Sequence, residues 1–153
     1  MNLSIRRGPM LYRTTVVLLT LLFAAAVIGR LATGASARDP YRVPQDGQME
    51  STLGVRFTQA ALVGDDGLVE ISYVVLDTQR ASRFQNDVQH PPVLRNERTG
   101  KTAWRAALMK QGHELRPGQT YYILYLNNQN AIKRGDKLEI GTTARKLAHV
   151  PVR

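Results

Sequence analysis

The stretch Thr120-Tyr121-Tyr122-Ile123-Leu124-Tyr125-Leu126, TYYILYL, decides the fold class. It carries no glycine, proline or charge, and its aromatic and β-branched side chains fit a pleated, half-buried surface. Apolar groups fall on both faces, which predicts a central strand covered on both sides. Turn chemistry punctuates both ends. Gly112–Gly118 precedes it and closes on Pro117-Gly118. Asn127–Asn130 follows, with residues that tolerate left-handed backbone.

Toward the C-terminus comes Arg134-Gly135-Asp136, the tripeptide that many adhesion ligands present to integrins. Directly after it Leu138 and Ile140 alternate with Lys137 and Glu139. Lys137–Gly141 therefore reads as a strand and Gly135-Asp136 as the turn before it. A three-residue motif arises often by chance, and an adhesion loop needs a long protruding display. Integrin binding through Arg134, Gly135 and Asp136 is not expected. Ile132 adds to the apolar set, and Thr142–Arg153 predicts an edge strand with Val150 and Val152 on one side.

Toward the N-terminus, Leu53–Val63 reads as a strand with Val55, Phe57, Gln59 and Ala61 on one face. Gly64-Asp65-Asp66-Gly67 is a hairpin turn. Leu68–Leu76, LVEISYVVL, is the next strand, with Val69, Ile71, Tyr73 and Val75 on one face and Glu70 and Ser72 on the other. Asp77–Gln89 is polar and suits a loop or one helical turn, which His90-Pro91-Pro92 breaks. Val93–Asn96 and Thr102–Met109 predict paired strands around NERTGKT, with Trp104 as a core anchor. Roughly seven short strands, with turns every 8–12 residues and no amphipathic helix after residue 50, indicate an all-β, immunoglobulin-like antiparallel sandwich.

The 153 residues set a prior of one domain with a short appendage. A composition 43% hydrophobic and 22% charged supplies enough apolar material for one core and too much for a disordered chain. With no cysteine, the chain holds no disulfide, thiolate metal site or cysteine nucleophile. The formal charge of +9 includes Arg6, Arg7, Arg13 and Arg30, which lie among 37 residues without an acid. The remaining 17 basic residues against 12 acids leave a modest surplus on residues 38–153. Such a surplus suits a solvated surface or an anionic partner rather than nucleic acid.

Those first 37 residues read as an address. Arg6, Arg7 and Arg13 form a positive region, TTVVLLTLLFAAAVIG over 14–29 is uncharged and apolar, and Ala35-Ser36-Ala37 has the small-x-small form of a cleavage site. The arginines should stay cytoplasmic, so the rest of the chain crosses the membrane. The segment 1–37 is then a signal anchor or a signal peptide cleaved after Ala37. The long basic region, and Arg30 between the apolar run and Ala37, favour the anchor. Residues 38–52, with Pro40, Pro44 and Gly47, read as a linker or an extended edge segment, and 53–153 as an extracytoplasmic sandwich. An exported domain without cysteine points to a bacterial source. The organisation resembles small membrane-anchored immunoglobulin-like domain proteins of bacteria, a likeness of architecture from which no residue role follows.

Motifs that carry chemistry are few. Gly100-Lys101-Thr102 matches the end of a phosphate loop, but Arg95 stands where that loop needs its first glycine, and a strand rather than a helix follows. His90, His113 and His149 are scattered. Met109 and His113 form a candidate copper pair, since thioether and imidazole both suit copper; Met109 equally suits a core and His113 an exposed turn. No Gly-x-Ser-x-Gly is present, and the acids sit mostly in turns. Tyr121, Tyr122 and Tyr125 are of a kind to stack a sugar, and at strand positions they equally form core and cross-strand pairs. Arg95, Arg98, Lys101 and Arg105 cluster on one hairpin. With Asn127, Asn128 and Asn130 of the following loop they are the candidate partner-binding residues. The expectation is a non-catalytic interaction domain, without cofactor, that binds another envelope or membrane protein. The alternative is an exported metal-handling sandwich using Met109 and His113.

Overall fold

The computed structural model describes residues 39–110, 112, 114–143 and 145–153. The expected anchor or signal peptide, residues 1–37, lies outside the described residues, as does His113. Among the described residues no helix is long and apolar enough to cross a membrane.

The described elements are, in chain order, α1 (Gly47–Leu53), β1 (Val55–Val63), β2 (Leu68–Val75), α2 (Thr78–Asn86), β3 (Val93–Asn96), β4 (Thr102–Ala103), β5 (Ala106–Leu108), β6 (Thr120–Leu126), β7 (Lys137–Gly141) and β8 (Lys146–Pro151). The strands form two four-stranded antiparallel sheets, β1-β2-β6-β5 and β4-β3-β7-β8. The TYYILYL stretch, β6, is an interior strand paired with β2 and β5. One face alone is buried: Tyr121, Ile123 and Tyr125 point inward, while Tyr122 on the other face is 39% exposed. The two-faced apolar pattern overstated its burial, because an antiparallel sheet needs a second layer on one side only.

In β2, Val69, Ile71, Tyr73 and Val75 are all buried, as the alternation predicts. In β1 the expected face is corrected. The register slips between Phe57 and Gln59, a bulge, so Ala60 and Leu62 join the core cluster in place of Gln59, while Ala61 is buried outside that cluster. The single strand expected over Thr102–Met109 is two strands in different sheets. Ala103 is buried in β4, Trp104 and Arg105 cross between the layers, and β5 then pairs with β6. Trp104, expected as a core anchor, is 61% exposed: Ala103 takes the inward position, and alternation turns its successor outward.

Two helices also replace expected irregular chain. In the segment read as a linker, the Asp46 carboxylate accepts from the Gln48 and Met49 amides at 2.9 Å each and caps α1, which buries Met49. Asp77 caps α2 by accepting from the Arg80 amide at 2.8 Å, and that helix buries Ala81 and Gln85. Phe84 of α2 stands edge-on to Phe57 and Tyr73, with ring centroids 6.3 and 5.8 Å away, and so packs the helix against the core. Ala81 and Phe84 are the only apolar residues of α2, too few to mark a helix in so polar a segment.

The core is lined from the first sheet by the β1, β2 and β6 side chains above and from the second by Leu94, Leu138, Ile140, Leu147 and Val150. After β8 the chain leaves the second sheet: Val152 bridges Ala60 in parallel, and the Arg153 amide donates to the Ala60 carbonyl at 3.0 Å. This covers part of the exposed edge of β1. Two hydroxyls inside the core, on Tyr73 and Tyr125, have no hydrogen-bond partner among the described residues. Burial pushes the Tyr73 phenol up to about 12 and that of Tyr125 beyond the usual tyrosine range. Tyr125→Phe removes an unsatisfied buried group at constant shape. It should raise stability by about 1 kcal/mol, read as a higher urea midpoint at unchanged slope.

Candidate ligand-binding groove

The outward face of the second sheet carries a groove of about 750 Å³. Strand alternation places its floor. Val93 and Arg95 of β3 point outward while Leu94 and Asn96 point in. Arg95 stands opposite Thr102 of β4 on one side and Glu139 of β7 on the other. Glu139 ion-pairs with Lys146 of β8 at 2.9 Å. The segment Val88–Pro91 forms one wall, and the crossing residues Trp104 and Arg105 form another.

Three apolar side chains at the groove are held open to solvent: Trp104 (61% exposed), Val88 (47%) and Val93 (40%). Exposed apolar side chains scattered singly are ordinary; grouped in one concavity they mark a site. Among the described residues neither Arg95 nor Arg105 pairs with a carboxylate. Two guanidinium groups without a carboxylate partner among the described residues, lining the same groove as an exposed tryptophan, make an anion-directed contact surface.

The candidate residues from the hairpin therefore divide. Arg95 and Arg105 line the groove. Arg98 turns to the other end of β3, where it donates to Asp136 at 2.9 Å. Lys101 is exposed beside the Gly100 turn, a hairpin closed by the Gly100 amide donating to the Asn96 carbonyl at 2.8 Å. Asn127 is buried rather than displayed: its Nδ2 donates to the carbonyls of Asp66 and Ile132, and its Oδ1 accepts from the Ile132 amide. Asn128 and Asn130 are exposed, and Gln129 and Asn130 hold the left-handed backbone that the loop composition predicts. This loop adjoins the hairpin tip, because Asn96 Nδ2 donates to the Ala131 carbonyl at 3.1 Å.

Arg-Gly-Asp is a tied-down turn. Arg134 donates to Asp66 at 2.8 Å. Gly135 supplies the positive φ, 79°. The Asp136 side chain is only 6% exposed and accepts from Asn96, Arg98 and the Lys133 amide. Met109 is buried. His90 and His149 lie on carboxylates, Asp87 at 2.8 Å and Glu97 at 2.9 Å. Burial would raise the Glu97 carboxyl, but hydrogen bonds from the His149 amide and ring outweigh it and hold it below the usual range. Among the described residues no three histidines or carboxylates gather as a metal cluster.

Val88, Val93 and Trp104 were not legible as site residues beforehand. The one signal was a tryptophan next to an arginine at the place where the strand changes sheet. No family model, curated protein or solved structure matches the chain.

Proposed function

We propose that the chain is a membrane-held, non-catalytic, extracytoplasmic module that binds another cell-envelope protein through the groove on its second sheet. The single observation carrying this reading is the exposure of Trp104 inside that groove. A tryptophan left in water, in a groove also lined by two arginines unpaired among the described residues, has the composition of an interface anchor. The groove's charged groups are two guanidinium groups and one closed ion pair, which bind and orient a partner, and its imidazole, His90, is tied to Asp87 at 2.8 Å. The apolar run over 14–29 and its flanking arginines support a membrane anchor with the domain on the far side.

The same reading takes the sandwich as immunoglobulin-like. The order β1-β2-β6-β5 with β4-β3-β7-β8 matches the A-B-E-D and C′-C-F-G arrangement of that fold, without its cysteine pair. Immunoglobulin-like sandwiches serve repeatedly as binding modules, and fold alone does not name the ligand.

A photo-crosslinking amino acid at position 104, introduced in the native membrane, should capture one envelope protein reproducibly, while the same group at Tyr41 should not. Recovery of the chain only as an uncaptured, freely diffusing monomer would sink the reading.

A further inference from the structure

We infer that the groove takes an extended, acidic peptide segment whose carboxylates alternate with apolar side chains. The inference rests on the reading of the groove as a protein-binding site and specifies its ligand. Charge complementarity carries it. Arg95 and Arg105 are exposed and unpaired among the described residues, and both line the groove. Its one carboxylate, Glu139, is already neutralised by Lys146 at 2.9 Å.

The arrangement also separates peptide from other anions. β7 lies between β3 and β8, so Glu139 stands between Arg95 and Lys146. A uniformly charged polymer laid across the sheet would meet at that closed pair no free cation, so its charges there would go unmatched. A peptide carries charge only at chosen positions and can set an apolar side chain there. The walls favour the same class. Val88, Val93 and Trp104 offer aliphatic and aromatic surface, which buries aliphatic side chains well and satisfies few sugar hydroxyls. A bilayer surface is too flat to follow a concavity between the Val88–Pro91 wall and Trp104.

Trp104 is the chain's one tryptophan, so its emission reports on the groove alone. The full chain in zwitterionic lipid nanodiscs is titrated with a short synthetic peptide alternating Glu with Val, and with the same peptide carrying Gln for Glu. Parallel titrations use polygalacturonate and phosphatidylglycerol vesicles. The acidic peptide should shift the Trp104 emission to the blue, saturably, and the Gln peptide should not. Added salt should weaken the binding. Reversing both charges, Arg95→Glu with Arg105→Glu, should weaken it about tenfold or more at unchanged far-ultraviolet circular dichroism. A shift with polygalacturonate or vesicles and none with the acidic peptide would overturn the inference, as would no shift with any probe. If an envelope protein is captured at position 104 but the acidic peptide fails to bind, this inference alone falls. If the peptide binds but nothing is captured, the envelope-partner reading falls and the ligand class stands.

Discussion

Gly54→Ala should destabilise the domain by about 4 kcal/mol, a large part of what a domain of this size has to lose. Gly54 ends α1 in the left-handed conformation, with φ of 72°. A side chain there costs roughly 1–2 kcal/mol by backbone sterics alone. The larger part comes from what surrounds it. A Cβ would lie 2.7 Å from the Asp77 carbonyl oxygen, 2.8 Å from the Ala81 amide nitrogen and 2.5 Å from the Arg80 Cβ. Two of these three are backbone atoms of the first turn of α2 and its cap, so no side-chain rotation relieves the clash. The Gly54 carbonyl also accepts from the amides of Leu76 and Asp77, at 2.8 and 3.0 Å, and these bonds fix where α2 starts. A methyl group would drive α2 away and loosen Phe84 from Phe57 and Tyr73. Gly118→Ala is the control. Gly118 has a similar φ of 77° but open space where its Cβ would stand, so it should cost only about 1 kcal/mol. Urea unfolding of both variants separates backbone strain from close approach; equal losses would refute the steric account.

Asp136→Ala should cost about 3 kcal/mol at neutral pH and much less in acid. Its carboxylate accepts from Asn96 Nδ2 at 2.6 Å, the Lys133 amide at 2.9 Å and Arg98 Nη2 at 2.9 Å. Truncation leaves the Lys133 amide without this acceptor and Asn96 Nδ2 with only its bond to the Ala131 carbonyl. It thus unties the turn after β6 from the hairpin between β3 and β4. The ion pair with Arg98 adds little, since that side chain is 67% exposed. Burial would raise the Asp136 carboxyl, but the bonds from Arg98, the Lys133 amide and Asn96 prevail and lower it below its ordinary value of 3.8. A depressed folded value gives stability that is complete above the ordinary value and disappears as pH falls through the depressed one. The gap between wild type and Asp136→Ala should therefore be widest near neutrality and narrow as pH falls below the ordinary value of 3.8. Asp136→Asn, which keeps the shape but loses the charge, should show the flatter acid limb with a smaller loss at neutrality. A pH-independent gap would refute the role given to the carboxylate.

What was legible in the sequence follows from how far each signal reaches. Leu68–Val75 and Lys137–Gly141 match their predicted strands within a residue, because alternation and turn residues act within a few positions of each other. The turn at Gly135-Asp136 was legible for the same reason, and so was the hairpin at Gly100. The polar work of Asp136 was not, since Asn96 and Arg98 lie 40 and 38 residues away in the chain. Of the basic cluster, Arg95 and Arg105 reach the groove and Arg98 does not. A count of charges along a hairpin says nothing of which end each one faces.

By itself the sequence determined an all-β chain of short antiparallel strands, the inward face of β2, and the turns that join strands to their neighbours. These depend on side-chain period and on backbone freedom, both local properties. Only the tertiary structure decided that Thr102–Leu108 divides between two sheets, that β1 slips by one residue after Phe57, and that two short helices close against Gly54. Alternation states that every second residue faces a core, but not which sheet supplies it or where a partner strand forces a slip. Trp104 shows the consequence. Its hydrophobicity pointed inward, but Ala103 holds the inward position of β4 and turns its neighbour out into the groove.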